Sequence, residues 1–123
     1  MLLEEREYYK PFLYPWAFEF YKKQQQMHWL PDEVPLQDDI RDYKKKLSEG
    51  DRTLIDNIFK FFTQADVDVC CGYAKHYLPT FKQPEVRMML VSYAAMEAVH
   101  QEAYSLLLET LGKSDDMYQE IFD

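Results

Sequence analysis

The sequence predicts an all-α protein built around two long antiparallel helices. Glycine is scarce, with three in 123 residues, whereas β-rich folds need frequent tight turns. Apolar residues recur every three or four positions over two stretches, each far longer than the average helix of about 11 residues. Only the short segment from Pro79 to Pro84 separates the two stretches. Long helices joined by so short a connection pack antiparallel.

Shorter segments precede the first long helix. Residues 1–14 are expected to form an irregular arm. Pro15 suits a first helical position and begins an amphipathic helix that is expected to run to about Met27. Two prolines predict a loop over residues 28–35, and the charged stretch 36–47 predicts a short exposed helix.

The first long helix is expected to begin at Ser48 and to end near Pro79. Ser48 and Asp51 have the spacing of a capping box, with Asp in place of the usual Glu. The positions that form its apolar stripe are Leu54, Ile55, Ile58, Phe59, Phe62, Val69, Cys70, Tyr73 and Tyr77.

The second long helix is expected to begin at Pro84 and to stop at Gly112. The helical part of the sequence is therefore expected to span residues 15–112. Ser114 can cap a further short helix in the end segment 113–123. Two helices this long need at least two more to bury both apolar faces. We therefore expect residues 1–123 to be part of one larger bundle domain; the resemblance described below implies that they are its N-terminal portion.

Composition excludes several classes of protein. The net charge of -8 argues against nucleic-acid binding, which needs a basic surface. No stretch approaches the roughly 20 apolar residues of a membrane span, and the acidic N-terminus is not a secretory signal. The adjacent Cys70 and Cys71 fit small buried residues in a reducing compartment, so a cytoplasmic location is expected.

Three ionisable residues fall on stripes that should be apolar: Asp66 in the first long helix, and Glu97 and His100 in the second. Burying such charges costs several kcal/mol unless a partner compensates them. Glu97 and His100 stand at i and i+3, on one side of a helix. Carboxylates with one imidazole suit iron or manganese, and Glu-x-x-His within a bundle helix is typical of di-metal carboxylate proteins. The alternative is a hydrogen-bonded carboxylate–histidine pair in the core.

Two aromatic residues leave both a structural and a functional interpretation open. Tyr104 follows His100 by one helical turn and is either a core tyrosine or a redox-active phenol beside the metal site. Trp29 lies in a proline-flanked loop, where an interface or core-covering aromatic is common. Three polar residues lie off the stripes and are expected at or near the surface: His28, His76 and Asp68.

Three segments resemble the small subunit of class I ribonucleotide reductase, a ferritin-like protein: FFTQAD (61–66), FKQPEVRMML (81–90) and AAMEAVHQEAY (94–104). The resemblance implies a dinuclear iron centre, with manganese or a mixed manganese/iron pair as alternatives. By position it implies that Asp66 is a terminal ligand, Glu97 a bridging ligand and His100 the imidazole ligand of the first metal. It further implies that Tyr104 becomes a stable radical. Trp29 would carry electrons between this site and the catalytic subunit.

The resemblance also implies partners. The family's second metal needs another carboxylate, a second Glu-x-x-His and two further long helices, which this sequence does not contain. We expect a complementary C-terminal chain, a separate large catalytic subunit, and a dimer of the assembled small subunit. Two alternatives stay open: a different ferritin-like oxidase or metal-storage module formed by self-association, and a non-enzymatic structural piece with an empty site.

Overall fold

The computed structural model describes residues 1–122, which contain helices and connecting segments but no β-strand. This confirms the all-α, ferritin-like class expected from the sequence. Within these residues no helix has the length and apolar character that crossing a membrane requires. The elements in order along the sequence are α1 (Pro15–Gln26), a 3-10 turn (Pro31–Glu33), α2 (Gln37–Lys45), α3 (Glu49–Gly72), a π-helical segment (Tyr73–Tyr77), one helical turn (Leu78–Thr80), α4 (Pro84–Thr110) and a 3-10 helix (Asp115–Phe122).

Helix α3 begins with the predicted capping box. The Asp51 backbone N–H donates to Ser48 Oγ at 3.1 Å, and the Ser48 N–H donates to Asp51 Oδ2 at 3.3 Å. The end of the helix differs from the expectation of one regular helix to Pro79. The Leu78 N–H donates to the Tyr73 carbonyl five residues back, which defines a π-helical turn. Pro79 lacks an N–H group and cannot continue the regular i to i−4 pattern.

Helix α4 ends as the sequence predicts. Gly112 adopts a φ of 84°, a left-handed conformation that only glycine adopts without strain. The Gly112 N–H donates to the Glu109 carbonyl at 2.9 Å, and the Lys113 N–H donates to the Leu108 carbonyl at 3.0 Å. This pair of bonds is a Schellman motif, which satisfies the last carbonyls of the helix.

The protein divides into two compact units, Met1–His28 with Asp68–Ala98 and Trp29–Val67 with Val99–Asp123. Helices α3 and α4 each contribute residues to both units. In the first unit, Ala17 of α1 packs with Val86 and Leu90 of α4. The partly buried side chains around them are Leu2, Tyr14, Tyr73, Leu78, Phe81 and Met89.

The arm before α1 is ordered by a buried arginine. Arg6 Nη2 donates to both carboxylate oxygens of Glu85, at 2.8 and 3.0 Å, and the side chains are 3% and 0% exposed. Three further hydrogen bonds run from the guanidinium to the backbone carbonyls of Tyr8, Tyr9 and Pro11, each at 3.0 Å. We call the Arg6–Glu85 contact the arm clamp.

A glutamine beside the arm clamp holds the first residues of the arm. Gln83 Nε2 donates to the carbonyls of Met1 at 3.2 Å and of Glu4 at 2.8 Å. Gln83 also accepts the first backbone bond of α4, from Arg87, through its own carbonyl. The arm is therefore irregular but fixed to the start of α4.

In the second unit, Asp56 of α3 connects three elements. Its carboxylate accepts a hydrogen bond from the buried Tyr43 hydroxyl of α2, at 2.8 Å to one oxygen and 3.0 Å to the other. Lys113 Nζ lies 2.7 Å from Oδ2 of the same residue. The hydrogen bond with Asp56 is the main cause that raises the pKa of Lys113, followed by the contact with Tyr43.

The predicted apolar stripe of α3 is covered on one side only. Ile55 and Phe59 are half-buried, whereas Leu54, Ile58 and Phe62 are exposed. The elements that pack against α3 cover only part of its circumference. The exposed members of the stripe therefore form an apolar face in the described part of the protein.

Candidate metal centre

Three potential metal ligands from two helices come together. Asp66 of α3 and Glu97 and His100 of α4 each offer one ligand atom, and these atoms lie within 4.8 Å of one another. All three residues are half-buried. The structure thus brings together the three residues that the helical stripes singled out. We refer to them as the ligand cluster.

The geometry of the ligand cluster follows from helix periodicity. Glu97 and His100 are one turn apart on α4, so their side chains project from the same side. Asp66 is the stripe position of α3 between Phe62 and Cys70, one turn from each.

The donor set of the cluster fits a transition-metal ion. Ligands of one ion stand about 2 Å from it and hence about 3–4 Å from one another, and the potential ligand atoms of the cluster all lie within 4.8 Å of one another. Two carboxylates and one imidazole suit iron or manganese.

Side-chain hydrogen bonds link α3 to α4 beside the cluster. Gln101 Nε2 donates to the backbone carbonyl of Asp66 at 3.2 Å. One turn further along α3, Cys70 Sγ contacts the carbonyl of Ala94 at 3.8 Å. Sequence reasoning missed both contacts, because which carbonyl a side chain reaches depends on the register of the two helices. The sequence predicts that both cysteines are buried. In the structure Cys70 is half-buried and Cys71 is exposed.

Tyr104 packs among aromatic rings one turn beyond His100. Its ring centroid lies 5.7 Å from that of Phe59 and 5.8 Å from that of Phe62, with tilted planes. The residue is half-buried. The two rings give Tyr104 apolar contacts, which agree with a packing tyrosine and equally with a redox-active phenol.

A second tyrosine is influenced by the cluster. Burial raises the pKa of the Tyr73 phenol, and the carboxylate of Glu97 and the phenols of Tyr77 and Tyr93 raise it further. Tyr73 also stands at the start of the π-helical segment, and its ring packs edge-on against Tyr77 at 5.5 Å. Tyr73 is therefore a neutral phenol whose pKa responds to the charge of Glu97.

The other residues singled out from the sequence lie outside the cluster. Trp29 is half-buried and belongs to the same compact unit as Asp66, His100 and Tyr104. The described ring contacts of Tyr104 are with Phe59 and Phe62 rather than with Trp29. The three polar residues predicted to lie off the stripes are exposed, as expected: His28, Asp68 and His76.

The all-helical fold and the carboxylate–histidine cluster define a ferritin-like protein with a candidate metal site. Comparison of the sequence with protein families places it more narrowly. The model of the family "ribonucleotide reductase, small chain" matches residues 6–123, and the protein belongs to this family. Members of this family are di-metal enzymes.

Individual relatives agree with this assignment. The sequence is 51% identical over 119 residues to the probable ribonucleoside-diphosphate reductase small subunit 376L of Invertebrate iridescent virus 6. The aligned region covers 97% of this protein and 33% of the viral protein. The sequence is 45% identical to the corresponding protein 048L of Invertebrate iridescent virus 3, covering 97% and 31%. It is 32% identical to the ribonucleoside-diphosphate reductase small subunit of Dictyostelium discoideum, covering 92% and 33%. The sequence thus spans about a third of the length of these relatives.

Proposed function

We propose that this protein provides one half of the dinuclear metal site in a ribonucleotide reductase small subunit. The observation that carries the proposal is the convergence of Asp66, Glu97 and His100 from two helices in a member of this family. Asp66 would be a terminal ligand of the first metal and His100 its imidazole ligand. Glu97 would bridge the two metals, since its two carboxylate oxygens can each bind one ion.

An iron pair, a manganese pair or one of each would supply the activation of oxygen at this site. The protein's own residues hold the ions and shape their surroundings. The half-buried carboxylates offset the positive charge of the ions in a medium where charges interact more strongly than in water.

Tyr104 would be the residue that is oxidised to a radical. The oxidation would remove one electron and the hydroxyl proton from the phenol, with molecular oxygen as the final electron acceptor, and would leave a neutral phenoxyl radical. Phe59 and Phe62 flank the ring and offer no hydrogen atoms on polar groups, so they limit quenching by water. Trp29, in the same compact unit, would serve as the electron carrier toward the catalytic subunit.

The rest of the site would come from outside this sequence. The second metal needs another carboxylate and a second Glu-x-x-His, which we propose lie on a complementary C-terminal chain of the small subunit. The exposed apolar face of α3, with Leu54, Ile58 and Phe62, offers a surface for its helices. In this proposal residues 1–123 form the N-terminal portion of one bundle domain, and the assembled small subunit dimerises.

The complete enzyme would reduce ribonucleotides to deoxyribonucleotides in the cytoplasm. The radical made beside the ligand cluster would pass to a large catalytic subunit, where the nucleotide binds. The protein described here would not touch the nucleotide itself. Its self-association into a different di-metal oxidase or storage module is the competing function, and that module has no use for a tyrosyl radical.

A Tyr104→Phe substitution tests the proposal, with Tyr93→Phe as the control on the same helix. The purified small-subunit assembly is loaded with iron, exposed to oxygen and examined by electron paramagnetic resonance. We expect a tyrosyl radical signal in the wild type and in Tyr93→Phe, and its loss in Tyr104→Phe at unchanged iron content. A signal of wild-type intensity in Tyr104→Phe contradicts the assignment, and metal binding without any radical in the wild type favours the oxidase or storage module.

A further inference from the structure

One hydrogen bond connects the surroundings of two candidate ligands. It joins the backbone of Asp66 to the side chain of Gln101, the residue that follows His100. The donor is the side-chain amide of Gln101, which directly follows His100 in α4. The acceptor is the backbone carbonyl of Asp66 in α3, at 3.2 Å. Both residues belong to the same compact unit. The bond therefore fixes the backbone of α3 against α4 at the level of the ligand cluster.

Small displacements of one helix matter at this position. A shift by one residue along a helix is about 1.5 Å, which would break a 3.2 Å hydrogen bond. Metal ligands must hold their positions to about 0.5 Å to form a good site. An aspartate has a short side chain, so an error in its backbone position passes almost fully to its carboxylate. The Gln101 bond acts on that backbone directly.

Glutamine has the chemistry and the length that this contact requires. An amide donates a full hydrogen bond, whereas the thiol of Cys70, 3.8 Å from the Ala94 carbonyl, is a weak donor. A glutamate at 101 would have the same shape but would place an ionised acceptor against the Asp66 carbonyl. Gln101 also lines a cavity of about 360 Å³ with Thr63, Val67 and other side chains, so substitutes of equal length can be accommodated.

We propose that Gln101 is a positioning residue that sets the place of the Asp66 carboxylate relative to His100 and thereby the affinity of the metal site. This inference rests on the proposed metal-binding function. Gln101 acts through the backbone of Asp66 and is not itself a ligand. Residues that orient metal ligands in this way typically change metal affinity by about 10- to 100-fold when replaced.

Two substitutions separate the hydrogen bond from packing. Gln101→Met removes the donor and keeps the length of the side chain, and Gln101→Glu keeps the shape and replaces the donor with an acceptor. Tyr118→Phe is the control, because it removes another hydrogen bond to α4 in the same unit, from the Tyr118 hydroxyl to Ser105 Oγ at 3.1 Å. Manganese and iron affinities are measured by competition with a chelator in the purified small-subunit assembly, with thermal unfolding in parallel.

We expect both Gln101 variants to bind metal about 10- to 100-fold more weakly than the wild type. The electron paramagnetic resonance spectrum of bound manganese should also change in these variants. Tyr118→Phe should match the wild type in both measurements. Wild-type affinity in both Gln101 variants overturns the inference while the proposed function stands. Weak binding in Gln101→Met with wild-type binding in Gln101→Glu also overturns it, since packing would then be the cause. An inability of the wild type to bind metal overturns the proposed function together with the inference.

Discussion

The arm clamp and the ligand cluster both contain carboxylates within the helical structure, but they differ in burial and in the groups around them. At the arm clamp, one fully buried carboxylate, that of Glu85, meets a guanidinium that donates to both of its oxygens. At the ligand cluster, two carboxylates and an imidazole from two helices aim at a common place and stay half-buried. The ion pair of the arm clamp needs no ligand and serves the fold, whereas the proposed function assigns a bound cation to the convergent donors of the ligand cluster.

The difference also predicts where stability and metal binding reside. Removing one partner of a buried ion pair leaves an uncompensated charge, which is more costly than replacing the whole pair. Substitutions at the arm clamp should therefore act on folding, and substitutions at the ligand cluster should act on metal content. The comparison would be wrong if arm-clamp variants lost metal at unchanged stability, or if ligand-cluster variants lost stability at unchanged metal content.

The largest effect on folding is expected from Arg6→Met. It leaves the Glu85 carboxylate buried and removes the donors of three backbone carbonyls, so the free energy of unfolding should fall by about 3–5 kcal/mol. Denaturant unfolding of the purified assembly measures it. Arg41→Met is the control, because the Arg41–Asp38 pair is exposed and is expected to contribute about 1 kcal/mol or less. Equal losses in the two variants would show that the arm clamp has no special role.

The largest effect on metal content is expected from His100→Ala. The variant loses one of three convergent donors. Replacing a residue that only hydrogen-bonds to a metal ligand lowers metal affinity by about 10- to 100-fold, so loss of a ligand itself should lower it by at least about tenfold. Metal analysis after dialysis against a weak chelator measures it, and the unfolding free energy without metal should change little by comparison with Arg6→Met. The exposed His76 provides the control variant His76→Ala, which should retain the metal. Equal metal content in both variants would remove His100 from the ligand set.

A smaller and pH-dependent effect is expected from Lys113→Met. The Lys113–Asp56 pair is partly exposed, with side chains 31% and 22% accessible, so its loss should cost about 1 kcal/mol or less. The hydrogen bond with Asp56 raises the folded-state pKa of Lys113 above its ordinary value of 10.5. The stabilisation is therefore fully present below about pH 10.5 and is lost as the pH rises through the raised pKa.

Unfolding free energies of the wild type and Lys113→Met between about pH 7 and pH 12 measure this effect. The difference between them should be constant at the lower end of the range and should shrink at the upper end. Lys46→Met, which removes an exposed pair with Asp42, serves as the control. A difference that grows with pH would contradict the direction of the Lys113 pKa shift.

Local signals made much of this fold predictable. The capping box at Ser48 and the Schellman motif at Gly112 involve residues within one turn of each other, so their spacing identifies them. The convergence of Asp66 with Glu97 and His100 was also predictable, because helical periodicity places each on a stripe.

Other contacts between distant residues were not predictable. Arg6 and Glu85 are 79 positions apart, and no local pattern connects them. The Gln101–Asp66 bond depends on the register of α3 against α4, which periodicity does not determine. The π-helical turn at Tyr73–Tyr77 interrupts a stripe that is regular by sequence. The exposed apolar face of α3 reflects how much of its circumference the neighbouring elements cover.

Native mass spectrometry of the assembly captured with this protein from its natural host tests the central claim most directly. The protein bears a small tag, and the intact complex is weighed before and after removal of metal. We predict a second, non-identical polypeptide and about two metal ions for each copy of the tagged protein. An assembly made only of copies of the tagged protein, without bound metal, would contradict the claim that its ligand cluster is half of a dinuclear site.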